Sequence, residues 1–256
     1  MEGSENKKRV VVITGGSSGI GKAMAAAFVR NGDQVVLIGR HENTLSAAAH
    51  SISPECAWQR ADVSQREQVA SAVDTIVEKF RKVDVLVNGA GYSGYLRGIN
   101  PDTPLDQAKA TWDEAIGVNL TGAFLMTFAA APYLARPGGR VINISSDAAL
   151  TGGVGLRLAG YAAAKAGLLG LTRALALEFG PEGITVNVIV PGFINGSGMN
   201  ERLNDEIVNA IAAQLPVRRA GQVKDVAAAA LFLASPDAGF ITGELLNING
   251  GRVFGR

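Results

Sequence analysis

The chain has 256 residues, enough to bury a sizeable core in one domain, and only 18% of them are charged, which fits a globular protein rather than a disordered one. A formal net charge of +1 gives no electrostatic case for nucleic acid or for an anionic membrane as partner. A single cysteine, Cys56, excludes an intrachain disulfide and a cysteine zinc site, and two histidines leave no cluster to hold a metal, so none is expected.

The opening MEGSENKKR is polar and charged, unlike the apolar core of a signal peptide, and no apolar run is read as long enough to span a bilayer. The expectation is a cytoplasmic protein of one domain, 1–256, with residues 1–8 flexible. The β-branched run 9–14 predicts a strand, and a helical pattern follows over 19–31. Between them lies a glycine-rich turn with two readings. From Gly16 it nearly matches the nucleotide triphosphate loop, but that loop needs a hydroxyl after Lys22 to hold Mg²⁺, and position 23 is Ala. From Thr14 it runs TGGSSGIG, with glycines at 15, 19 and 21, close to a dinucleotide turn.

Further strands are predicted over 34–39, 83–88, 139–145 and 184–190, with a third strand ending by residue 61. Helices are predicted over 43–51, 65–80, 104–134 and 161–179. Several strands are apolar on consecutive positions, as a parallel sheet covered on both faces requires. Ala227–Ala230 is read as close helix packing. Strand and helix in alternation predict a doubly wound α/β sheet, and such sheets bind ligands at the carboxyl ends of their strands. The letters there are Gly, Ser and Asn in unusual density: GGSSGIG after residue 14, Arg40-His41, Asp62-Val63, NGAG over 88–91, Ser145-Ser146, and Pro191-Gly192. Each alone is weak, because loops favour these residues. In register they mark one ligand site.

The same letters carry a resemblance over nearly the whole chain. TGGSSGIG (14–21), Asp62-Val63, NGAG (88–91), VNL (118–120), Ser145-Ser146, YAAAK (161–165), Pro191-Gly192 and ITG (241–243) with NGG (249–251) resemble the short-chain dehydrogenase/reductase family, in particular its 3-oxoacyl reductase-like members. The resemblance implies a Rossmann-like fold with a seven-stranded parallel sheet, its last strand near Leu245–Ile248. It implies a nicotinamide dinucleotide as cofactor and a hydride exchanged with a small-molecule ketone or secondary alcohol. It implies Asn119, Ser146, Tyr161 and Lys165 as the catalytic group, with Asn119 at a helix distortion and water-linked to Lys165. For the cofactor it implies Gly15, Ser17, Ser18, Gly19, Ile20, Gly21, Arg40, Asp62, Val63, Asn88, Ala90, Gly91, Pro191, Gly192 and Ile194 beside Tyr161 and Lys165, and for the substrate Ser146, Tyr161, Tyr92 and Phe193. Departures stand beside it. Gly89 replaces the family's second Asn, which predicts a looser end to the fourth strand. Whether Ser197 replaces a cofactor-contacting Thr stays open.

The chemistry can be argued from the residues. Ketone reduction needs a proton donor, and a free phenol has a pKa of about 10. Lys165 lies one helical turn from Tyr161, and a charge at ~4 Å with an effective dielectric of ~20 is worth about 4 kcal/mol, or roughly three pKa units toward phenolate. Ser146 is expected to hold the carbonyl oxygen, though the strand pattern does not decide between Ser145 and Ser146. Arg40 at the second strand's end, with no carboxylate beside it, suits the 2′-phosphate of NADP(H) over NAD(H); the alternative is that it stacks on adenine and tolerates both. Glu182 stands where carrier-protein reductases have a basic residue, which weakens a carrier-borne substrate. The rival of another class is a non-catalytic dinucleotide sensor, which would be expected to lack Tyr161 or Lys165. The apolar positions of 104–134 and 161–179, which pair across an interface in the family, predict a homotetramer.

Overall fold

The computed structural model describes residues 8–91, 98–153, 157–197 and 203–254; Tyr92, expected beside the substrate, lies outside them. In chain order the elements are β1 (Val10–Thr14), α1 (Gly19–Arg30), β2 (Gln34–Gly39), α2 (Glu42–Ile52), β3 (Ala57–Arg60), α3 (Arg66–Phe80), β4 (Val85–Asn88), α4 (Leu105–Ile116) and α5 (Gly122–Ala130). There follow β5 (Arg140–Ile144), α6 (Ala148–Thr151), α7 (Ala159–Phe179), β6 (Thr185–Pro191), β7 (Ile194–Asn195), α8 (Asp205–Gln214), β8 (Gly221–Gln222), α9 (Val223–Leu233) and β9 (Leu245–Ile248). Seven strands form one sheet in the order β3-β2-β1-β4-β5-β6-β9, every neighbouring pair parallel. This is the predicted fold, and the last strand falls where the resemblance put it.

Strand parity explains the consecutive apolar letters. Val11, Ile13, Val35, Leu37, Val85 and Val87 point into one core with α1, α2 and α9. Val10, Val12, Val36, Ile38, Leu86 and Val141 point into the other, with α3, α5 and α7. A strand with helices on both faces has no solvent side, so alternation disappears. Ala227, Ala229 and Ala230 are buried on α9 in the first core, as the alanine run predicted.

The strand order reverses between β1 and β4, whose ends Thr14 and Asn88 are paired in register. A crevice opens at such a reversal. Two expectations fail elsewhere. The helix read over 104–134 is broken: α4 passes into a π-turn, Gly117–Thr121, before α5 begins. At the break the Asn119 side chain donates to Ala115 O at 2.9 Å, supplying a bond that competes with the regular ladder. The apolar-run reading also fails. The helical stretch Leu105–Tyr133 contains an 18-residue window of mean hydropathy 1.4, long and apolar enough to cross a membrane by length and composition alone. Gly, Asn and Thr within it hid this from a search for unbroken apolar runs. Here Met126 and Ala130 on that stretch are buried in the second core.

Candidate active site

The turn after β1 is shaped by what a side chain would strike. Gly15 has φ +71°, and a Cβ there would lie 2.8 Å from Ala90 Cα and from Gly89 O. A Cβ at Gly21 would lie 2.2 Å from Gly15 O. Both positions therefore require Gly, because only backbone-to-backbone approach closes the turn. Ser18 precedes α1 with extended backbone and makes no side-chain cap, so the first amides of α1 have no side-chain acceptor at that end. Open amides at a helix N-terminus, beneath a turn without side chains, fit a pyrophosphate. Ser17 is half-buried and Ser18 exposed on this rim, with Gly19 and Ile20 opening the helix behind them.

The end of β4 is tight, contrary to the looseness expected of Gly89. Thr14 Oγ1 accepts from Gly89 N and Ala90 N, both at 3.0 Å, and a Cβ at Gly89 would lie 2.8 Å from Thr14 O. The threonine performs the bracing that the sequence reading assigned to an asparagine amide. Asn88 turns its amide inward, donating to Thr127 Oγ1 at 3.0 Å and Asn143 Oδ1 at 2.9 Å, while Asn143 donates to Thr172 Oγ1 at 2.9 Å. Its donors are thus spent on tying β4 and β5 to α5 and α7.

The other cofactor candidates divide in the same way. Arg40 stands exposed at the end of β2. Asp62 Oδ1 already accepts from Ser64 N at 3.0 Å and Ser64 Oγ at 2.7 Å. Val63 is buried against Gly122, and Ile194 is buried in the first core, so neither offers its side chain to a ligand. Ser197 is buried and donates to Ile194 O at 2.9 Å, so its hydroxyl braces its own loop. Pro191 pairs in register with Ile248, and a Cβ at Gly192 would lie 2.8 Å from Asn249 Cα. Phe193 lines a groove of about 560 Å³ with Val217, Arg219 and Asn247; Ser146 and Tyr161 are not among its walls.

Ser146, Tyr161, Lys165 and Asn119 do come together. The two serines separate cleanly. Ser145 is buried and donates to Lys165 O at 2.8 Å, whereas Ser146 is partly exposed, donates to Asp147 Oδ1 at 3.3 Å and accepts from Ala148 N at 3.2 Å. Lys165 donates from Nζ to Ile144 O at 2.8 Å, and the same nitrogen lies 5.6 Å from the centre of the Tyr161 ring. A Cβ at Gly91 would meet Asn119 Oδ1 at 3.2 Å and Lys165 Nζ at 3.4 Å, so the NGAG turn, the π-turn and α7 converge on one point.

The electrostatics depart from expectation. Burial pushes the Tyr161 phenol up to about 12, opposed by its hydrogen bond with Ser146 and reinforced by the nearby Asp147 charge. Burial also brings Lys165 down to about 7. The sequence argument placed the ammonium ~4 Å from the phenol in a well-screened medium. Instead Nζ is anchored at Ile144 O, and desolvation governs both groups. The phenol is held protonated at neutral pH.

Two neighbours of this group were not singled out from the sequence. Asp147, the next residue after Ser146, is 8% exposed, and Arg252 pairs with it at 3.1 Å. The strand-end rule would have found Arg252 had it been carried past the last strand, because Ile248 lies beside Pro191 in the sheet.

A crevice with a phosphate cradle at the reversal of a parallel sheet, opening beside a buried and protonated phenol, is the arrangement of a nicotinamide-dependent oxidoreductase. Comparison with known proteins agrees. Residues 15–252 match the family model described as enoyl-(acyl carrier protein) reductase. The chain is 40% identical over 252 residues to a 3-oxoacyl-[acyl-carrier-protein] reductase of Synechocystis, covering 96% of this chain and 97% of that one. It is 39% identical over 252 residues to an acetoacetyl-CoA reductase of Rhizobium meliloti, covering 96% and 99%. The crystal structure of a single-substitution variant of actinorhodin polyketide ketoreductase with NADPH superposes with a TM-score of 0.83 at 31% identity, covering 95% and 97%. The chain belongs to the short-chain dehydrogenase/reductase family.

Proposed function

We propose that this protein reduces a ketone with NADPH, and that its substrates are 3-oxoacyl thioesters, Tyr161 serving as the acid. The observation that carries the reading is the convergence at the cleft: Tyr161 is buried, Lys165 Nζ lies 5.6 Å from its ring centre, and Asn119 Oδ1 and Lys165 Nζ both face Gly91. The nicotinamide, when bound, supplies the hydride that reaches the carbonyl carbon. Tyr161 Oη gives its proton to the carbonyl oxygen as negative charge develops there, and takes it back in alcohol oxidation. The Ser146 hydroxyl turns from Asp147 Oδ1, to which it donates at 3.3 Å, to donate to the same oxygen and fix its distance from the phenol. Lys165, tied to Ile144 O and brought down to about 7 by burial, favours the phenolate left after transfer in the fraction that carries a proton. Asn119 holds the helix open beside it and is assigned the water link to Lys165.

The cradle of Gly15, Gly19 and Gly21 fits the pyrophosphate, and Arg40, exposed at the end of β2, fits the 2′-phosphate that distinguishes NADPH. Relatives named for 3-oxoacyl carrier-protein and acetoacetyl-CoA reduction support the thioester class. Glu182, at the corner before β6, is paired with Arg136, so that corner offers a compensated pair where an acidic carrier protein would need a free cation. This favours coenzyme A esters over carrier-borne ones. Phe124 and Phe128 on α5 and Leu177 on α7 are exposed at 43%, 42% and 82%, an apolar face that a homotetramer of a cytoplasmic enzyme would cover.

The test is a panel of acetoacetyl-CoA, a carrier-protein thioester, simple ketones and secondary alcohols, followed by nicotinamide absorbance. Acetoacetyl-CoA is expected to be reduced fastest. Failure of every class with nucleotide still bound would leave a dinucleotide sensor on the same fold.

A further inference from the structure

A charged pair adjoins the catalytic group and has no part in the mechanism so far. Asp147 N donates to Pro191 O at 2.9 Å, which fixes its backbone on the end of β6. Its Oδ1 accepts from Ser146 Oγ at 3.3 Å, and that oxygen accepts in turn from Ala148 N at 3.2 Å. Its Oδ2 accepts from Arg252 Nη1 at 3.1 Å. Hydroxyl, carboxylate and guanidinium form one continuous chain, and the carboxylate's charge reaches the phenol. The chain begins in the buried cleft and ends at Arg252, whose side chain is 40% exposed.

The segment after β9 is built to deliver that arginine. Asn249, itself buried, accepts from Gly251 N at 3.0 Å through its side chain and from Arg252 N at 3.2 Å through its backbone, and donates to Val253 O at 2.9 Å. Gly250 and Gly251 have φ of +66° and +82°, conformations that leave the turn little choice of residue. A carboxylate in so enclosed a place is costly unless paired and hydrogen-bonded, and this one is held by Ser146, Arg252 and the backbone N–H of Ala148.

We propose that Asp147 and Arg252 are positioning residues of the active site: Asp147 orients the Ser146 hydroxyl and sets a negative charge beside Tyr161, and Arg252 determines how much of that charge the phenol feels. The inference rests on Tyr161 being the acid of the proposed reaction. The sign follows from the charges. A neighbouring anion disfavours phenolate, so Asp147 helps to keep Tyr161 a proton donor. Arg252 screens that anion and lowers the carboxyl that burial has raised. Losing Asp147 must therefore make the phenol more acidic, and losing Arg252 must make it less so. The other charges near Tyr161 are common to all variants. Lys165, on the same helix, stays tied to Ile144 O. On α4, which packs its Trp112 and Ala115 on Gly160, Lys109 and Asp113 pair with each other at 2.6 Å on the exposed side.

The test labels tyrosine at the ring carbon bearing oxygen and titrates it by NMR, with Tyr161→Phe assigning the signal among the four tyrosines. Asp147→Asn, which is isosteric, is expected to lower the Tyr161 midpoint by about one pH unit. Arg252→Gln is expected to raise it, Arg252→Lys to restore it, and Arg252→Gln to have no effect in the Asp147→Asn background. The basic limb of the kcat profile for reduction should move in the same directions. Equal midpoints in all variants, with kcat reduced alike, would make the pair a mere brace and overturn the proposal. The NMR midpoint reads the phenol without any substrate. Shifted midpoints with no turnover on the panel would therefore refute the reaction while leaving the charge coupling in place.

Discussion

Gly21→Ala tests the phosphate cradle with a single methyl group. The new Cβ would sit 2.2 Å from Gly15 O, 2.8 Å from Gly15 C and 3.1 Å from Gly16 Cα. These are all backbone atoms, so no rotamer can relieve the clash, and a normal contact needs roughly 1 Å more. Gly15 cannot easily withdraw: its N–H donates to Ile38 O at 2.8 Å, and its own Cβ position is closed by Ala90. The turn must therefore part from α1. Forced overpacking of this kind costs about 1–3 kcal/mol, which at about 2–4 °C per kcal/mol for a chain of this size lowers Tm by about 2–12 °C. The α1 amides move with the turn. Weakening one hydrogen bond to a charged phosphate is worth about 1.5–3 kcal/mol, or roughly tenfold to a hundredfold in Kd for NADPH. Gly117→Ala is the control, since its Cβ would meet only Ser64 Cβ at an ordinary 3.7 Å. Thermal melts and nucleotide fluorescence titration of both variants give the answer. A Gly21→Ala protein that melts and binds NADPH like the parent would refute the reasoning.

Arg40→Asp should lose NADPH affinity and gain NADH affinity in the same titration; a variant that kept its preference for NADPH would move the 2′-phosphate site elsewhere. Thr172→Val strands the Asn143 amide inside the sheet, so a loss of about 1–3 kcal/mol is expected in a denaturant melt, and an unchanged midpoint would remove the Asn88–Asn143–Thr172 ladder from the account. Light scattering at micromolar concentration should give a tetramer mass, reduced by Phe128→Glu; a monomer in the parent would contradict the covered face.

What the sequence disclosed follows from the range of the interactions concerned. Strands came out within a residue or two because burial on both faces writes itself as runs such as Val10–Thr14. The site was legible because a doubly wound sheet gathers its strand ends, so scattered letters at 14, 88, 146 and 191 fell on one line. Long-range pairings were not legible. Nothing near Thr14 announces that its hydroxyl will brace Gly89 and Ala90, and Gly89 by itself suggested slackness. The letter Asn88 does not announce that Thr127 and Asn143 take both donors of its amide. The four-residue spacing of Tyr161 and Lys165 was correct, but the charge estimate drawn from it failed, because spacing along a helix carries no information about Ile144 O or about burial. The break at Gly117–Thr121 could be sensed from an Asn in mid-helix, and α8 from Asn204, which caps it by accepting from Ile207 N at 3.0 Å.

The central claim is that Tyr161 gives the proton. Tyr161→Phe keeps the ring and its packing in the cleft while deleting one oxygen, so the measurement is the single-turnover rate of acetoacetyl-CoA reduction by this variant with NADPH bound. The account predicts unaltered NADPH affinity and a chemical step slower by about 10²–10⁴-fold, the worth of a placed general acid. A rate within a few-fold of the parent, with nucleotide bound equally well, would contradict it.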